Sequence, residues 1–455
     1  MADEVDQGVH TYSPADRYVT PQDPLILERL EWFQDQKLAF MMHWGPYSQI
    51  GLVESWALSD ADADWSCHDV DWTSDRGTFK KQYFELNRTF NPIRFLPEAW
   101  ADLAADCGFK YLIFTTKHHD GFCMWDTAYS DYRITAPDCP FHTNPRSDVT
   151  RHIFDAFRSR GLGIGAYFSK ADWRTPYYWN KEFPGDQTAR GPSYSPAEHP
   201  DLWESFKSFT KHQILELCRH YGKLDILWFD AGWVRGPKQD IDLGGIVDEA
   251  RKIQPWLLSA DRTVGGAYEN YITPEQCIPD KPLGVPWESC VTLGTQFSFK
   301  YEDAYKSPRE LVRLLTDIVS LGGNLALNLG PQPDGRLPAG GIKSLRGLGA
   351  WLQVYGEAIY GTRACAPYKT GNLRFTKKGN KTYVIYLYPS TDERPEGLTP
   401  PAKLDIPWTG PAESLTFLDT GQRVPFERTR EGLRIEFPPG RNPLGESIAE
   451  GFAIS

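Results

Sequence analysis

The sequence has little of what marks membrane, disulfide-rich or nucleic-acid-binding proteins. It contains no apolar run of membrane-spanning length, and its eight cysteines are scattered without a CxxC pair. The net charge of −11 argues against nucleic acid or an anionic membrane surface as a partner. The first ten residues are acidic and polar, unlike a secretory signal, so we expect a cytoplasmic protein unless a signal has been removed.

Motifs for cofactor binding and for serine chemistry are also missing. No GxGxxG follows a candidate strand and no Walker sequence occurs, so we expect no nucleotide or other cofactor. No G-x-S-x-G elbow is present, which removes the common esterase arrangement. Aromatic residues, in contrast, are abundant. The 16 Trp, 22 Tyr and 24 Phe favour a sugar ligand, because aromatic rings stack on the C–H faces of pyranoses.

Strand-like and helix-like segments alternate from about residue 25 to residue 362, which predicts a parallel sheet with helical crossovers. The candidate strands are Leu38–His43, Tyr111–Thr116, Gly163–Phe168, Asp225–Phe229, Trp256–Ala260 and Asn324–Leu329. The length of the region fits an α/β fold of the irregular (β/α)8-like TIM barrel type. We expect residues 1–24 to form an N-terminal arm and residues 363–455 to form an antiparallel β-sandwich.

Residues that can bind a hydroxyl group stand at the carboxyl ends of most candidate strands. They are His43, Trp44, His118, His119, Tyr167, Asp230 and Arg262. In a TIM barrel these strand ends meet on one face, where the active site lies. The run His118-His119-Asp120 also suggests a metal site. However, neighbouring residues of a strand point to opposite faces, so we expect no metal there.

The stretch LDILWFDAGW (224–233) predicts a buried strand with a carboxylate, Asp230, at its end. A helix N-cap is the common alternative for such an Asp, but Ala231-Gly232-Trp233 does not open a helix. Glu275 and Glu288 follow on predicted loops, and a fixed carboxylate facing a loop carboxylate is the layout of glycoside hydrolysis. The neighbouring Trp287 could raise the pKa of Glu288, as an acid catalyst requires. A turn or cap role for Glu275 and a salt bridge for Glu288 are the structural alternatives.

Several stretches, in chain order, resemble the α-L-fucosidases of glycoside hydrolase family 29. They are WFQDQKLAFMMHWGPYS (32–48), KYLIFTTKHHDGFCMWDTAYSDY (110–132), GLGIGAYFSKADW (161–173), LDILWFDAGW (224–233) and LGGNLALNLGPQPDGRLP (321–338). The resemblance implies an irregular (β/α) barrel with a C-terminal β-sandwich and a retaining mechanism without a metal. It also implies a fucosylated oligosaccharide or glycoconjugate as the substrate.

Carried over residue by residue, the resemblance makes Asp230 the nucleophile. It places Glu288 first and Glu275 second as the acid/base, because PWESC is similar to the branch of the family that uses the later Glu. The residues that match those holding the fucose ring are His43, His118, His119, Tyr167, Trp228 and Arg262. Further residues predicted to contribute to substrate binding are Trp44, Glu54, Trp56 and Trp287.

Two stretches depart from the family pattern at the predicted rim of the pocket. Glu54-Ser55-Trp56-Ala57 stands where the family usually has Glu-Trp-Tyr, and Gln296-Phe297-Ser298-Phe299 replaces a Ser-Trp-Gly-Tyr run. We interpret the chain as a retaining exo-α-L-fucosidase, with the linkage left open by these departures. An α-L-galactosidase of the same fold and a non-catalytic fucose-binding protein are the alternatives.

Overall fold

The computed structural model describes residues 12–68, 70–183, 187–389, 402–437 and 448–455. Residues 1–11 of the predicted N-terminal arm lie outside the described residues. The rest of the arm is tied to a later loop. Ser13 Oγ donates to Glu269 Oε2, and Tyr18 Oη donates to the carbonyl oxygen of Asn270 at 2.9 Å. These bonds hold the arm against the chain that follows the fifth strand.

Seven parallel strands form the central sheet. In chain order they are β1 Leu38–Met42, β2 Tyr111–Lys117, β3 Gly163–Ser169, β4 Ile226–Asp230, β5 Leu258–Asp261, β6 Glu288–Thr292 and β7 Asn324–Asn328. Their order across the sheet is β5-β4-β3-β2-β1-β7-β6, and every pairing is parallel. Each predicted strand is present with shifted ends, whereas β6 has no counterpart in the sequence prediction.

Helices connect most of these strands. The α-helices of the described residues are α1 Pro24–Gln36, α2 Arg76–Phe84, α3 Pro97–Asp106, α4 Val149–Ser159, α5 Pro200–His220, α6 Leu243–Ile253, α7 Pro308–Ser320 and α8 Ala339–Tyr355. The sequence sets their ends locally. Asp23 caps α1 by accepting from the Leu25 N–H, and the helix ends where Lys37 adopts a φ of 64°. A capping box of Ser307 and Glu310 starts α7.

The curved central sheet has an inner and an outer face, and each face has its own hydrophobic cluster. Alternate residues of the strands, such as Met41 and Trp228, join Phe33 of α1 in the inner cluster. The residues between them, such as Phe40 and Phe229, belong to the main cluster together with side chains of the surrounding helices. Because both faces are covered, most of the strands are near-continuous apolar runs in the sequence.

Residues 268–277, which we call the linking segment, bind both edge strands of the central sheet. On one side the Asn270 N–H donates to the carbonyl of Ser259 in β5 at 2.9 Å. On the other side the Cys290 N–H of β6 donates to the carbonyl of Pro274 at 3.0 Å. The segment therefore carries Glu275 to a position between the two edge strands.

After α8, the chain forms two antiparallel sheets. Their strands are β8 Arg363–Thr370, β9 Leu373–Lys378, β10 Lys381–Leu387, β11 Lys403–Ile406, β12 Leu415–Phe417, β13 Phe426–Arg428, β14 Leu433–Glu436 and β15 Ala449–Ile454. One sheet has the order β12-β15-β10-β9-β8 and the other β11-β14-β13. Phe375, Ile435 and Phe452 belong to one hydrophobic cluster shared by both sheets. An α/β region followed by antiparallel sheets is therefore confirmed.

The cysteines serve as packing side chains. All eight lie in the described residues, and no disulfide joins any of them there. Cys107, Cys123 and Cys218 are buried, as expected for small core side chains. No helix in the described part of the chain is both long enough and apolar enough to cross a bilayer.

Candidate active site

A cavity of about 380 Å³ opens at the carboxyl ends of the central strands. Its floor consists of buried side chains from the strands and the turns that follow them, namely Met41, His43, His118, Tyr167, Trp228, Asp230 and Arg262. Its mouth consists of more exposed side chains from longer loops, including Trp65, Arg190, Trp233, Thr263, Gln276 and Thr295. Parallel-sheet α/β proteins place their active sites at this edge of the sheet.

Asp230 is the last residue of β4 and lies on the cavity floor as a carboxylate. The chain leaves the strand at Ala231, which has a φ of 67°, so no helix follows for Asp230 to cap. Tyr167 Oη donates to Asp230 Oδ2, and Arg262 Nη1 donates to Oδ1 at 3.0 Å. Burial opposes ionisation, but the Arg262 charge and the Tyr167 hydrogen bond outweigh it and hold the pKa of Asp230 well below its usual range.

Arg262 joins Asp230 to Glu275. It follows β5 directly, and its guanidinium lies 4.9 Å from the centre of the Trp228 ring. Nη1 binds Asp230, and Nη2 binds Glu275 Oε2. Burial disfavours the charge of Arg262, but the two carboxylates outweigh it and raise the pKa of the guanidinium above its usual value. Two carboxylates are thus fixed on one cation, between the floor and the mouth of the cavity.

His43 is a neutral hydrogen-bond acceptor on the cavity floor. Asn328 Nδ2 donates to the carbonyl of Phe297 at 2.6 Å, so the amide oxygen of Asn328 faces His43 Nδ1 at 2.8 Å. Nδ1 must therefore carry the proton, which leaves a lone pair on Nε2. Burial lowers the pKa of His43 to about 4, so this form persists at neutral pH.

His119 is neutral as well and stands behind Asp230. Ser169 Oγ donates to the carbonyl of Ala171 at 2.8 Å, so the 2.7 Å contact between His119 Nδ1 and Ser169 Oγ requires the proton on Nδ1. Burial lowers the pKa of His119 to about 3. Its Nε2 lies 3.7 Å from Asp230 Oδ2 without a proton, so this contact is not an ion pair. Arg262 and Tyr167 remain the groups that stabilise the carboxylate.

His118 and His119 lie side by side, contrary to the expectation that they would point to opposite faces of a strand. The reason is that β2 ends at Lys117, and the two ring centres are 4.0 Å apart. Together with Asp230 they offer metal-ligating atoms within 4.8 Å of one another. Since Asp230 already binds the Arg262 cation, a second positive charge at this place would be repelled. The absence of a metal stays a prediction.

Glu54 brings a protonated carboxyl group to the cavity. It is buried, has a φ of 40°, and its Oε1 accepts from the Ser298 N–H. Burial raises the pKa of Glu54 to about 8, helped by the charges of Glu275 and Asp230 and opposed by the bonds from Ser298. At neutral pH the group can therefore donate a hydrogen bond to a ligand. The contact also joins the two stretches that depart from the family pattern, 54–57 and 296–299.

Comparisons with known proteins identify the family of this chain. The sequence model of the α-L-fucosidase family matches residues 9–357, which is more than half of the chain. The chain belongs to the α-L-fucosidase family. The resemblance seen in the sequence is thereby confirmed.

Curated relatives and solved structures match most of this chain. The plasma α-L-fucosidase of Rattus norvegicus is 29% identical over 374 residues, which are 78% of this chain and 77% of that protein. The α-L-fucosidase isoenzyme 1 of Paenibacillus thiaminolyticus has a TM-score of 0.75 at 28% identity and covers 95% of this chain and 99% of its own. The Thermotoga maritima α-fucosidase in complex with fucose has a TM-score of 0.73 at 28% identity, with 98% and 100% coverage.

Most site residues predicted for this fucosidase-family chain line the cavity: Asp230, Glu275, His43, Glu54, Trp56, His118, Tyr167, Trp228 and Arg262. His119 is in contact with Asp230 behind the cavity wall. Trp44 is buried and packs against Phe90 and Trp100. Trp287 is buried, and its indole ring packs so closely on Gly323 that a Cβ atom at position 323 would collide with it. Neither of these two tryptophans lines the cavity.

Glu288 does not lie on a loop, and it does not reach the cavity. It is the first residue of β6, at the amino end of the sheet, and it is fully buried. Tyr111 Oη donates to its Oε2, and Trp228 Nε1 donates to its Oε1 at 3.2 Å. Burial raises the pKa of Glu288 to about 7, against the effect of these hydrogen bonds. Its visible role is to anchor the indole of Trp228, whose ring lies beside Arg262.

Several cavity residues have no counterpart in the sequence prediction. Trp233 follows Asp230 by three positions and ends the stretch LDILWFDAGW, and that proximity is the signal in the sequence that could have found it. Trp65 and Arg190 come from long loops, where sequence periodicity carries no information on side-chain direction. In the sequence, Phe297 is distinguished only because it belongs to a stretch that departs from the family pattern. In the structure it lines the cavity, with its ring centre 4.9 Å from that of His43.

Proposed function

We propose that the protein is a retaining, exo-acting α-L-fucosidase that releases terminal α-L-fucosyl residues from oligosaccharides or glycoconjugates. Membership of the α-L-fucosidase family supports the reaction, and the fucose complex of the Thermotoga maritima relative supports the sugar. The cavity has a buried floor and more exposed residues at its mouth. This shape suits a sugar residue at the end of a glycan better than one within a glycan.

The observation that carries the proposal is the pair of carboxylates on Arg262. Retaining glycosidases hold their two carboxyl groups about 5–5.5 Å apart, one as nucleophile and one as acid/base. Asp230 and Glu275 are bound to different nitrogens of one guanidinium, so the two carboxyl groups are close neighbours in the cavity. Asp230 attacks the anomeric carbon while Glu275, in its protonated form, gives its proton to the leaving oxygen, and the bond between that oxygen and the anomeric carbon breaks. Glu275 then takes a proton from the water that breaks the bond to Asp230.

The position of the two glutamates reverses the order taken from the sequence. Glu275 lines the cavity beside the Asp230–Arg262 pair, whereas Glu288 does not line it and is bonded to Tyr111 and Trp228 at the amino end of β6. A general acid must come within hydrogen-bonding distance of the leaving oxygen, so geometry favours Glu275 although Glu288 has the raised pKa. We therefore propose Glu275 as the acid/base.

The cavity also favours fucose over L-galactose. Met41, Cys290 and Phe297 form an apolar part of its lining. A C6 methyl group can be buried against such a surface, whereas the C6 hydroxyl of galactose would lose its hydrogen bonds to water there. His43 and His118 of the floor remain for the ring hydroxyls.

The scaffold of this site is proposed to be a closed barrel, with residues 25–362 as the catalytic domain. The linking segment supports closure, because it is hydrogen-bonded to both edge strands. For residues 363–455 we propose a β-sandwich, which the cluster shared by the two antiparallel sheets supports.

The test is the release of 4-nitrophenol from the α-L-fucoside, with the α-L-galactoside and the β-D-galactoside measured alongside. Rapid hydrolysis of the fucoside alone is expected. Preference for the α-L-galactoside would keep the mechanism and overturn the assigned sugar. No hydrolysis of any of the three, together with measurable fucose binding, would replace the enzyme by a fucose-binding protein.

A further inference from the structure

We propose that Glu269 is a positioning residue of the hydrolysis, which holds Arg262 in place from behind the cavity, and that Ser13 of the N-terminal arm supports it. The inference rests on the proposed function, because Arg262 matters here as the cation that binds Asp230. Glu269 is 1% exposed and does not line the cavity, so it acts through the chain around it.

Arg262 stands at a weakly held end of the central sheet. It directly follows β5, an edge strand whose neighbour is β4. Its backbone N–H donates to the carbonyl of Phe229 at 3.3 Å, which is long for such a bond. The next residue, Thr263, has a φ of 64°, which is unfavourable for a β-branched side chain. Other contacts must therefore hold residues 262–265, which we call the arginine turn.

The carboxyl group of Glu269 supplies these contacts. Its Oε1 accepts from the Thr263 N–H at 3.2 Å, and its Oε2 accepts from the Gly265 N–H at 2.7 Å. The chain brings Glu269 there by turning back on β5, so that Ala260 and Glu269 form an antiparallel bridge. Two backbone N–H groups of the arginine turn are thereby fixed on one buried side chain.

The N-terminal arm completes this arrangement. Ser13 is 3% exposed, and its Oγ donates to Glu269 Oε2. Burial raises the pKa of Glu269 to about 7, against the effect of the hydrogen bonds from Ser13 and Gly265. Because a hydroxyl group can both donate and accept, the contact with Ser13 can persist when Glu269 takes up a proton. The arginine turn therefore keeps an anchor on both sides of neutral pH.

The arginine turn also packs on the turn that follows Asp230. A Cβ atom at Gly232 would collide with Thr263 Oγ1 and would lie 3.0 Å from the carbonyl oxygen of Arg262. The absence of a side chain at position 232 thus lets the two turns approach closely. Because they are in direct contact, a displaced arginine turn changes the position of Arg262 relative to Asp230.

A displaced Arg262 would show itself in the ionisation of Asp230. Burial raises the pKa of Asp230, and the Arg262 charge is the first of the effects that outweigh it, so a weaker contact raises that pKa. The other titratable groups that face Asp230 lie outside the arginine turn, and they are His43, Glu54, His118, His119, Tyr167 and Glu275. Loss of Glu269 therefore acts on the pKa of Asp230 through Arg262.

The test is the pH profile of kcat/KM for 4-nitrophenyl α-L-fucoside, since kcat/KM follows the protonation of the free enzyme. The measured quantity is the ratio of kcat/KM at about pH 4.5 to kcat/KM at about pH 6.5. Glu269→Ala and Ser13→Ala are the test variants, and circular dichroism checks that each is folded at both pH values.

Glu216→Ala is the matched control. Glu216 is also buried, and it accepts from one side chain and one backbone group, namely Trp125 Nε1 at 2.8 Å and the Ala128 N–H at 2.9 Å. It does not line the cavity. Its replacement should therefore lower thermal stability and leave the ratio at the parent value.

We expect Glu269→Ala to lower the ratio at least about threefold, because Asp230 then takes up a proton at the lower pH. Ser13→Ala should lower it less, since Glu269 keeps its bonds to the arginine turn. A merely structural effect, such as a smaller folded fraction, would lower kcat at both pH values equally. A ratio that stays at the parent value in Glu269→Ala, or an equal fall in Glu216→Ala, would overturn the inference.

If Glu269→Ala does not fold, Glu269→Gln takes its place, with Glu216→Gln as the control. An amide has one acceptor oxygen, so its NH2 group would face a backbone N–H of the arginine turn. The ratio should fall in this variant too, and a parent value would overturn the inference. A parent protein that releases no 4-nitrophenol is a different result, which overturns the proposed function and this inference with it.

Discussion

Arg262 and Asp230 form an ion pair with a 3.0 Å contact on the floor of the cavity. The same guanidinium binds Glu275 and lies over the ring of Trp228. This one cation therefore keeps Asp230 ionised and holds Glu275 close to it. The pair also explains why a buried Asp, beside aromatic rings, has a lowered rather than a raised pKa.

Replacement of the nucleophile should abolish turnover while the fold remains. We expect Asp230→Ala to lower kcat by at least about 10³-fold, because no covalent intermediate can form. Asp225→Asn is the control, since Asp225 lies before the start of the same strand and pairs with Arg29 at 2.6 Å. It should lower thermal stability with little change in kcat. Near-normal turnover of Asp230→Ala would remove Asp230 from the mechanism.

Azide rescue separates the two glutamates. In Glu275→Ala, hydrolysis of an aryl α-L-fucoside should be slow, and added azide should restore turnover and give α-L-fucosyl azide. The reason is that azide needs no general base and can enter the space left beside Asp230. In Glu288→Ala, azide should have no effect, because this residue does not line the cavity. Rescue of Glu288→Ala alone would restore the order taken from the sequence.

Glu288 should matter for stability. Glu288→Ala leaves the Tyr111 hydroxyl and the Trp228 N–H without their acceptor, each at a cost of about 1–3 kcal/mol in the free energy of unfolding. Glu288→Gln, which keeps an acceptor oxygen, should lose less. Urea unfolding of the three proteins measures the difference, and equal stability of Glu288→Ala and the parent would contradict the anchoring role.

The free energy of unfolding should depend on pH through Glu288, and the pKa of this residue gives the direction of the change. Because the folded protein holds this pKa at about 7, above the usual value of 4.5, the folded state binds the proton more tightly. The stability that this group contributes is present at low pH and is lost as the pH rises through about 7. Glu288→Gln should therefore show a smaller fall in unfolding free energy between pH 5 and pH 8 than the parent.

Glu54 should produce an alkaline limit of substrate binding. With a pKa of about 8, its carboxyl donates a hydrogen bond below that pH and becomes a buried anion above it. We expect KM for the fucoside to rise above about pH 8 in the parent. Glu54→Gln keeps a donor that does not ionise, so its KM should stay flat over the same range. An identical alkaline rise in both proteins would show that another group is responsible.

The sequence predicts six of the seven strands of the central sheet, because most of them are built from apolar residues that pack on both faces. It misses β6, whose five residues are Glu288, Ser289, Cys290, Val291 and Thr292. Here buried polar side chains replace apolar ones, and their partners, such as Tyr111, come from distant strands. Hydrophobic periodicity cannot detect a strand that is stabilised in this way.

The same cause explains the order given to the two glutamates. Without β6, Glu288 and Glu275 both fall on one long predicted loop, and only the structure shows that Glu288 begins β6 while Glu275 lies beside Cys290 on the linking segment. Residues at the carboxyl ends of strands, such as His43 and Asp230, are predictable because parallel strand ends share one edge. Residues on long loops, such as Arg190, are not, since their direction depends on tertiary contacts.

Covalent trapping tests the two-carboxylate mechanism most directly. In 2-deoxy-2-fluoro-α-L-fucosyl fluoride, the fluorine at C2 slows both steps and the fluoride leaving group speeds the first, so the glycosyl-enzyme accumulates. Proteolysis and mass spectrometry then locate the label. We predict a single fluorofucosyl group on Asp230, and none in Asp230→Ala. A label on Glu275 or Glu288, or turnover with release of the β-anomer and no label, would contradict the account.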